Sequence, residues 1–115
     1  MKKLFLAGAA ALVLSTAGAQ AGTSGWARVN AEGHAIDKVN VVYVRHPATG
    51  KYVVRFSDDV SQCAMSATIS GRTGEPGLIV AEAPKPRNPD VLISTFRSNG
   101  NQPADYEFYV IAECF

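Results

Sequence analysis

The chain has 115 residues, 11 Lys and Arg against 10 Asp and Glu, and 47% of its side chains are hydrophobic. This near balance of charge offers no basic field to attract nucleic acid, and the length supports one small domain with a modest core. Two cysteines and two histidines leave little material for sulfur or imidazole chemistry.

Met1 to Ala21 has the three parts of a secretory signal: Lys2 and Lys3, an apolar run from Leu4 to Leu14, and Ala19-Gln20-Ala21 as a small-x-small cleavage site. The apolar run is too short to span a bilayer as a helix, no other run approaches the needed length, and no cysteine follows the cleavage site to carry a lipid. Removing 21 of the 115 residues leaves 94, and losing two lysines leaves 9 basic against 10 acidic residues, a net charge of −1. The expected organisation is a signal peptide over 1–21, a short linker over 22–25 and one domain over 26–115.

Trp26 to Asn30 alternates and reads as a first, edge strand, with Trp26 expected as a core or lid residue. Ala31 to Gly33 is a turn, and His34 to Lys38 a weakly extended lead into the strongest signal in the chain. From Val39 to Ser57 two runs rich in Val, Tyr and Phe flank His46-Pro47-Ala48-Thr49-Gly50, which predicts a hairpin with Pro47 at its first corner and Gly50 in the left-handed conformation. Tyr52, Val54 and Phe56 form the inner face of the second strand. Val42 and Val44 are expected inside on the first strand, with Val41 and Tyr43 outside and a bulge at Gly50 adjusting the register.

Ser57-Asp58-Asp59 is a polar break of ordinary turn residues, lacking the Gly-containing loop that a calcium site uses. Alternation resumes over Cys63, Met65, Ala67 and Ile69, a third core strand of small side chains. Gly71 to Gly77 is a loop, Leu78 to Ala83 a short strand, and Pro84 to Asp90 a stiff connector. Val91 to Ser98 follows, with Val91, Ile93 and Thr95 on one side and Leu92 and Phe96 on the other. After the turn at Ser98 to Pro103, the last strand runs from Tyr106 to Phe115, with Phe108, Val110, Ala112 and Cys114 inward and Tyr109 and Ile111 outward.

In an oxidising compartment Cys63 and Cys114 most simply form one disulfide, pinning the two layers of the fold. A closed loop of about 50 residues removes roughly 4 kcal/mol of unfolded-state entropy, an upper figure. His34 and His46 have no Cys, Asp or Glu at ligand spacing, and no nucleophile elbow, zinc-protease motif or phosphate loop is present. Asp105 and Glu107, two apart, share one strand face but lie next to a turn, where carboxylates are usually solvated. Neither metal nor cofactor is expected. An outer-membrane barrel is excluded by the short strands and by Glu113 in the outward apolar row.

Taken together, Val42 to Val44, the pattern from Gly50 to Phe56, Cys63-Ala64, Asn88-Pro89 and the closing strand from Phe108 to Cys114 resemble a recurrent bacterial exported β-sandwich module. Such modules occur alone after a signal peptide or at the C-terminal end of secreted and fibre-like chains. The resemblance covers nearly all of the mature chain, implies fold and secretion, and transfers no catalytic residue.

The expected fold is all-β, an antiparallel sandwich of about seven or eight short strands, with a small closed barrel as the alternative. The expected function is a secreted or periplasmic, non-enzymatic binding or assembly module for a protein or cell-surface ligand. Homo-oligomerisation is expected because two strands are apolar on both faces, which makes Tyr43, Arg45, Arg55, Tyr109 and Ile111 the interface candidates. The alternative is a small periplasmic enzyme inhibitor inserting the loop at 71–77 or at 84–89.

Overall fold

The computed structural model describes residues 23–71, 74, 76–82, 86 and 88–115. The expected signal peptide lies outside the described residues, as do Gly22 and part of each of the loops 71–77 and 84–89.

Alternating apolar residues spaced by turns leave the backbone no helical solution, and the described residues form eight strands. They are β1 (Gly25–Val29), β2 (Ala35–Val39), β3 (Val41–Ala48), β4 (Lys51–Phe56), β5 (Ala64–Ile69), β6 (Gly77–Glu82), β7 (Asp90–Arg97) and β8 (Phe108–Glu113). These make two antiparallel four-stranded sheets, in the orders β2-β1-β8-β5 and β3-β4-β7-β6, packed as a sandwich. The chain changes sheet between β2 and β3 at Asn40, a non-glycine residue at φ +57°, whose side-chain amide donates to the Ser24 carbonyl. Asn tolerates this conformation better than most residues because its short polar side chain bonds locally.

Period-two alternation turns directly into a two-sided core. Ala27 and Val29 of β1, Tyr52, Val54 and Phe56 of β4, Val91 and Ile93 of β7, and Phe108, Val110 and Ala112 of β8 are all buried between the layers. Thr95 is the buried polar exception, and its hydroxyl donates to the Ala104 carbonyl. Val60, inside the polar break after β4, is also fully buried and plugs the core where the chain changes sheet. A single apolar residue among turn residues has no period, so the sequence pattern passes over it.

Three expectations in β1 and β3 are corrected. Val41 is 6% exposed and Val42 52% exposed, because β3 carries one irregularity between Val41 and Tyr43 and a second between Arg45 and Ala48. The extra residue at Val42 puts Val41 and Val44 on the inner side together, so Val42 leaves the core. Pro47 belongs to β3 rather than to the turn, which tightens to Thr49-Gly50 with Gly50 at φ +69°. Trp26 faces outward at 36% exposure, because the buried set on β1 is Gly25, Ala27 and Val29.

Cys63 and Cys114 are bonded, with 4.4 Å between their Cα atoms and a sequence separation of 51. The bridge continues the β5–β8 ladder by one step beyond the Ala64–Glu113 pair. It therefore ties neighbouring strands of one sheet and does not pin the two layers, which are held by apolar packing and by the connections between sheets. Among the described residues no helix is long and apolar enough to cross a membrane.

Candidate functional site

The titratable side chains gather at two places. The first is the end of the sandwich where the β3–β4 hairpin meets the β7–β8 connection. The irregularity between Arg45 and Ala48 turns His46 onto Tyr52, with the rings stacked at 4.2 Å and 6°. His46 Nδ1 lies 2.7 Å from the Lys51 carbonyl oxygen, and Nε2 lies 3.1 Å from Asp105 Oδ2. The other carboxylate oxygen of Asp105 accepts the Gly50 N–H at 2.7 Å, and the Tyr52 hydroxyl donates to the Ala31 carbonyl at 2.7 Å. Burial works against charge on His46, but the Lys51 carbonyl and the Asp105 carboxylate outweigh it and raise its pKa. Burial likewise opposes the charge of Asp105, and the Gly50 N–H and His46 overcome it to lower that pKa. Burial first, then the nearby Asp105 charge, push Tyr52 strongly upward.

A histidine beside a carboxylate suggests a catalytic dyad, but this one is built differently. Both ring nitrogens face acceptors, so the ring is set up to carry two protons and has no lone pair to take a third. A general base needs one nitrogen aimed at substrate. The cluster instead fastens three chain segments, from β1–β2, β3–β4 and β7–β8, at one end of the fold. Gly33 fits only because it lacks a side chain: at φ +94°, an added Cβ would lie 2.5 Å from His46 Cβ.

Asp105 and Glu107, read as a carboxylate pair on one face, serve different partners. Asp105 turns to His46 and the hairpin, whereas Glu107 Oε2 lies 3.5 Å from Arg28 Nε on the outer side of the β2-β1-β8-β5 sheet. Asp59 Oδ1 accepts the Ser61 N–H, a turn bond in place of a ligand role.

The second place is the outer face of the β3-β4-β7-β6 sheet. Tyr43, Arg55 and Asp90 lie in one cross-strand row, and Arg45, Val53, Leu92 and Glu82 in the next. Arg55 binds Asp90 through Nε at 2.6 Å and Nη2 at 3.0 Å. Those bonds hold the Asp90 carboxyl below its usual range, against the opposing effect of burial. The Tyr43 ring is flanked by two guanidiniums, Arg45 at 4.9 Å and Arg55 at 5.2 Å, and Arg45 also donates to the Tyr43 hydroxyl. Beside this row is a hollow of about 290 Å³, lined among others by Pro47, Lys51, Val53 and Leu92.

The interface candidates thus divide between the two outer faces. Tyr43, Arg45 and Arg55 share the face just described. Tyr109 and Ile111 alternate with buried residues of β8 and face outward on the other sheet, where Ile111 stands in register with Trp26, itself opposite Val39. Sequence reasoning left His46 without a partner, and the bonds it makes were not foreseen. Its acidic partner lies 59 positions away in chain numbering, and no spacing rule links them. No protein-family model, no curated protein and no solved structure matches the chain.

Proposed function

We propose that this chain is an exported, non-enzymatic binding module that docks a protein or cell-surface ligand on the outer face of the β3-β4-β7-β6 sheet. The observation that carries the reading is the fixed row Tyr43–Arg55–Asp90 beside the hollow floored by Val53 and Leu92, the latter 45% exposed. Binding surfaces concentrate aromatic, arginine and apolar side chains and gain affinity when those groups are ordered beforehand. Here the ordering is visible. Asp90 fixes Arg55, and the two guanidiniums fix the Tyr43 ring, so little side-chain freedom remains to be lost on docking.

Export is supported by the tripartite leader and by the Cys63–Cys114 bond, which persists in oxidising compartments. The non-enzymatic reading is supported by the doubly engaged His46, whose nitrogens are both spent on structure.

The test passes envelope extract and a panel of cell-surface glycans over immobilised mature protein, alongside Leu92→Asp and Arg45→Ala variants. Retention of a defined component by the wild type and its loss in both variants supports the reading. If nothing is retained, or if both variants retain the component as well as the wild type does, the reading fails.

A further inference from the structure

The four edge strands of the sandwich are guarded very unequally. β2 carries Asp37 and Lys38 and pairs with β1 through an irregularity, and β3 carries Arg45, Pro47 and two irregularities. Charges, proline and bulges are the devices that stop an edge from adding another strand. β5 and β6, against each other at the opposite side of the sandwich, have almost none of them. Each pairs with its inner neighbour through six consecutive residues without a shift, and neither contains a proline or a basic residue. Among the described residues no strand pairs with the outer side of either.

The two open edges differ in what they show to solvent. The outward side chains of β5 are Ala64, Ser66 and Thr68, small or polar. Those of β6 are Leu78, Val80 and Glu82, and Val80 is 54% exposed in the middle of the strand. We infer that β6 pairs antiparallel with β6 of a second copy about a two-fold axis at Ile79, joining two four-stranded sheets into one continuous sheet. This goes beyond the docking face proposed above and does not rest on it.

The register follows from symmetry and charge. An antiparallel two-fold pairing keeps outer faces on the same side, so residues that meet across the axis share a face and the centre falls on a residue. Centred on Ile79, the pairing puts Leu78 opposite Val80 of the second copy at both symmetry-related positions, and Glu82 lands beyond the paired apolar residues opposite Pro76. Centred on Val80, it would put Glu82 opposite Leu78 twice, a carboxylate against an apolar side chain. Of the two registers that pair five residues of β6, only the first satisfies the side chains, and it makes the edge self-complementary; an axis at Leu78 would pair residues 77–79 alone. That is the ground for a second copy as occupant, since a foreign strand has no such relation to the sequence Gly77 to Glu82.

Sedimentation and light scattering of the mature, disulfide-bonded protein across a wide concentration range test this. The wild type is expected to dimerise. Val80→Lys, at an exposed position, is expected to weaken the dimer about tenfold by removing the apolar pair at both positions. Thr68→Lys on the β5 edge is expected to leave it unchanged. The double variant Leu78→Glu with Val80→Lys sets opposite charges across the same register and is expected to recover part of the dimer. As an independent readout on the wild type, β6 amides are expected to gain hydrogen-exchange protection as concentration rises. A monomer throughout, or a dimer broken by Thr68→Lys and not by Val80→Lys, overturns the inference. A monomer that still retains an envelope component through Leu92 overturns the β6 pairing alone and leaves the docking face standing.

Discussion

Replacing Asp105 with Asn is expected to change the sign of its effect with pH. In the wild type, Asp105 accepts the Gly50 N–H through Oδ1 and the His46 Nε2–H through Oδ2. Asn keeps the first bond through its own carbonyl oxygen, which forces its NH2 group toward His46 Nε2. When His46 is protonated, that places donor against donor; when it is neutral, Nε2 becomes an acceptor and the pair is restored. A charge-assisted hydrogen bond contributes about 1.5–3 kcal/mol when dry. The Asp105 side chain is 37% exposed and that of His46 19%, so solvent screening brings the expected loss down to about 1 kcal/mol. His46 has a raised folded pKa, so its contribution is complete below its unfolded value near 6.5 and is lost as pH rises through the folded value. Asp105 has a lowered folded pKa, so its contribution is present above about 3.8 and is lost as pH falls through the folded value. The pair therefore stabilises most between about pH 4 and 6.5. Thermal melts of the oxidised protein at about pH 5.5 should show Asp105→Asn lowering Tm by roughly 4–8 °C, the equivalent of 1 kcal/mol in a domain of this size. At about pH 8.5 the variant should match or exceed the wild type, because there the wild-type ring has one proton for two acceptors, the Lys51 carbonyl and the Asp105 carboxylate, and turns a lone pair toward one of them. An equal loss at both pH values would refute the doubly protonated ring.

Three further variants test the same structure. Gly50→Ala places a side chain at φ +69° with its Cβ 2.5 Å from the Thr95 carbonyl oxygen, and urea unfolding should show a loss of at least about 2 kcal/mol. Cys63→Ala with Cys114→Ala reopens a loop of 51 residues and should cost up to about 4 kcal/mol, read as a lower unfolding midpoint than that of the oxidised wild type. Tyr52→Phe leaves the Ala31 carbonyl without its donor and should cost about 1 kcal/mol. In the wild type, the Tyr52 phenol should fail to ionise until the protein unfolds in alkali, read as the phenolate absorbance that Tyr52→Phe removes from the unfolding step.

The strands were legible in the sequence wherever alternation was undisturbed. Tyr52, Val54 and Phe56, and again Phe108, Val110 and Ala112, announce their buried face by period alone, and the structure buries all six. The cysteine pairing was equally direct, since only one pairing exists. Legibility failed where β3 departs from the period. Val41, Val42 and Val44 are chemically alike, so nothing in their identity says which is left out by a bulge; partner β4 decides, through the pairing of Val41 with Phe56 and Tyr43 with Arg55. Trp26 misleads for a related reason. Hydropathy argues for burying it, but β1 faces the core through Gly25 and Ala27, and a Cβ on Gly25 would already lie 2.8 Å from the Val39 carbonyl oxygen. Backbone proximity at that neighbouring position fixes the parity of β1, and parity outranks the hydropathy of one residue.

The candidate site was legible as residues but not as an arrangement. Arg55 could be placed on an outer face from β4's alternation, and Tyr43 and Arg45 beside it only through the reading that put Val42 and Val44 inside, yet their worth as a surface comes from Asp90, a connector residue in the sequence that becomes the first residue of β7 and lands opposite Arg55. The same holds for the open edge. That β6 is apolar was plain from its composition, but whether an apolar strand is central or lies at an edge depends on strand order, which local pattern does not encode. Once the order β3-β4-β7-β6 is known, the lack of any charge between Gly77 and Ala81 changes meaning, from an ordinary buried strand to an edge left open where β2 and β3 are closed. A stable fold gains nothing from exposing Leu78 and Val80 on an unguarded edge, and each of the usual guards needs only one substitution, so this edge, unlike the small and polar one of β5, argues that something pairs there.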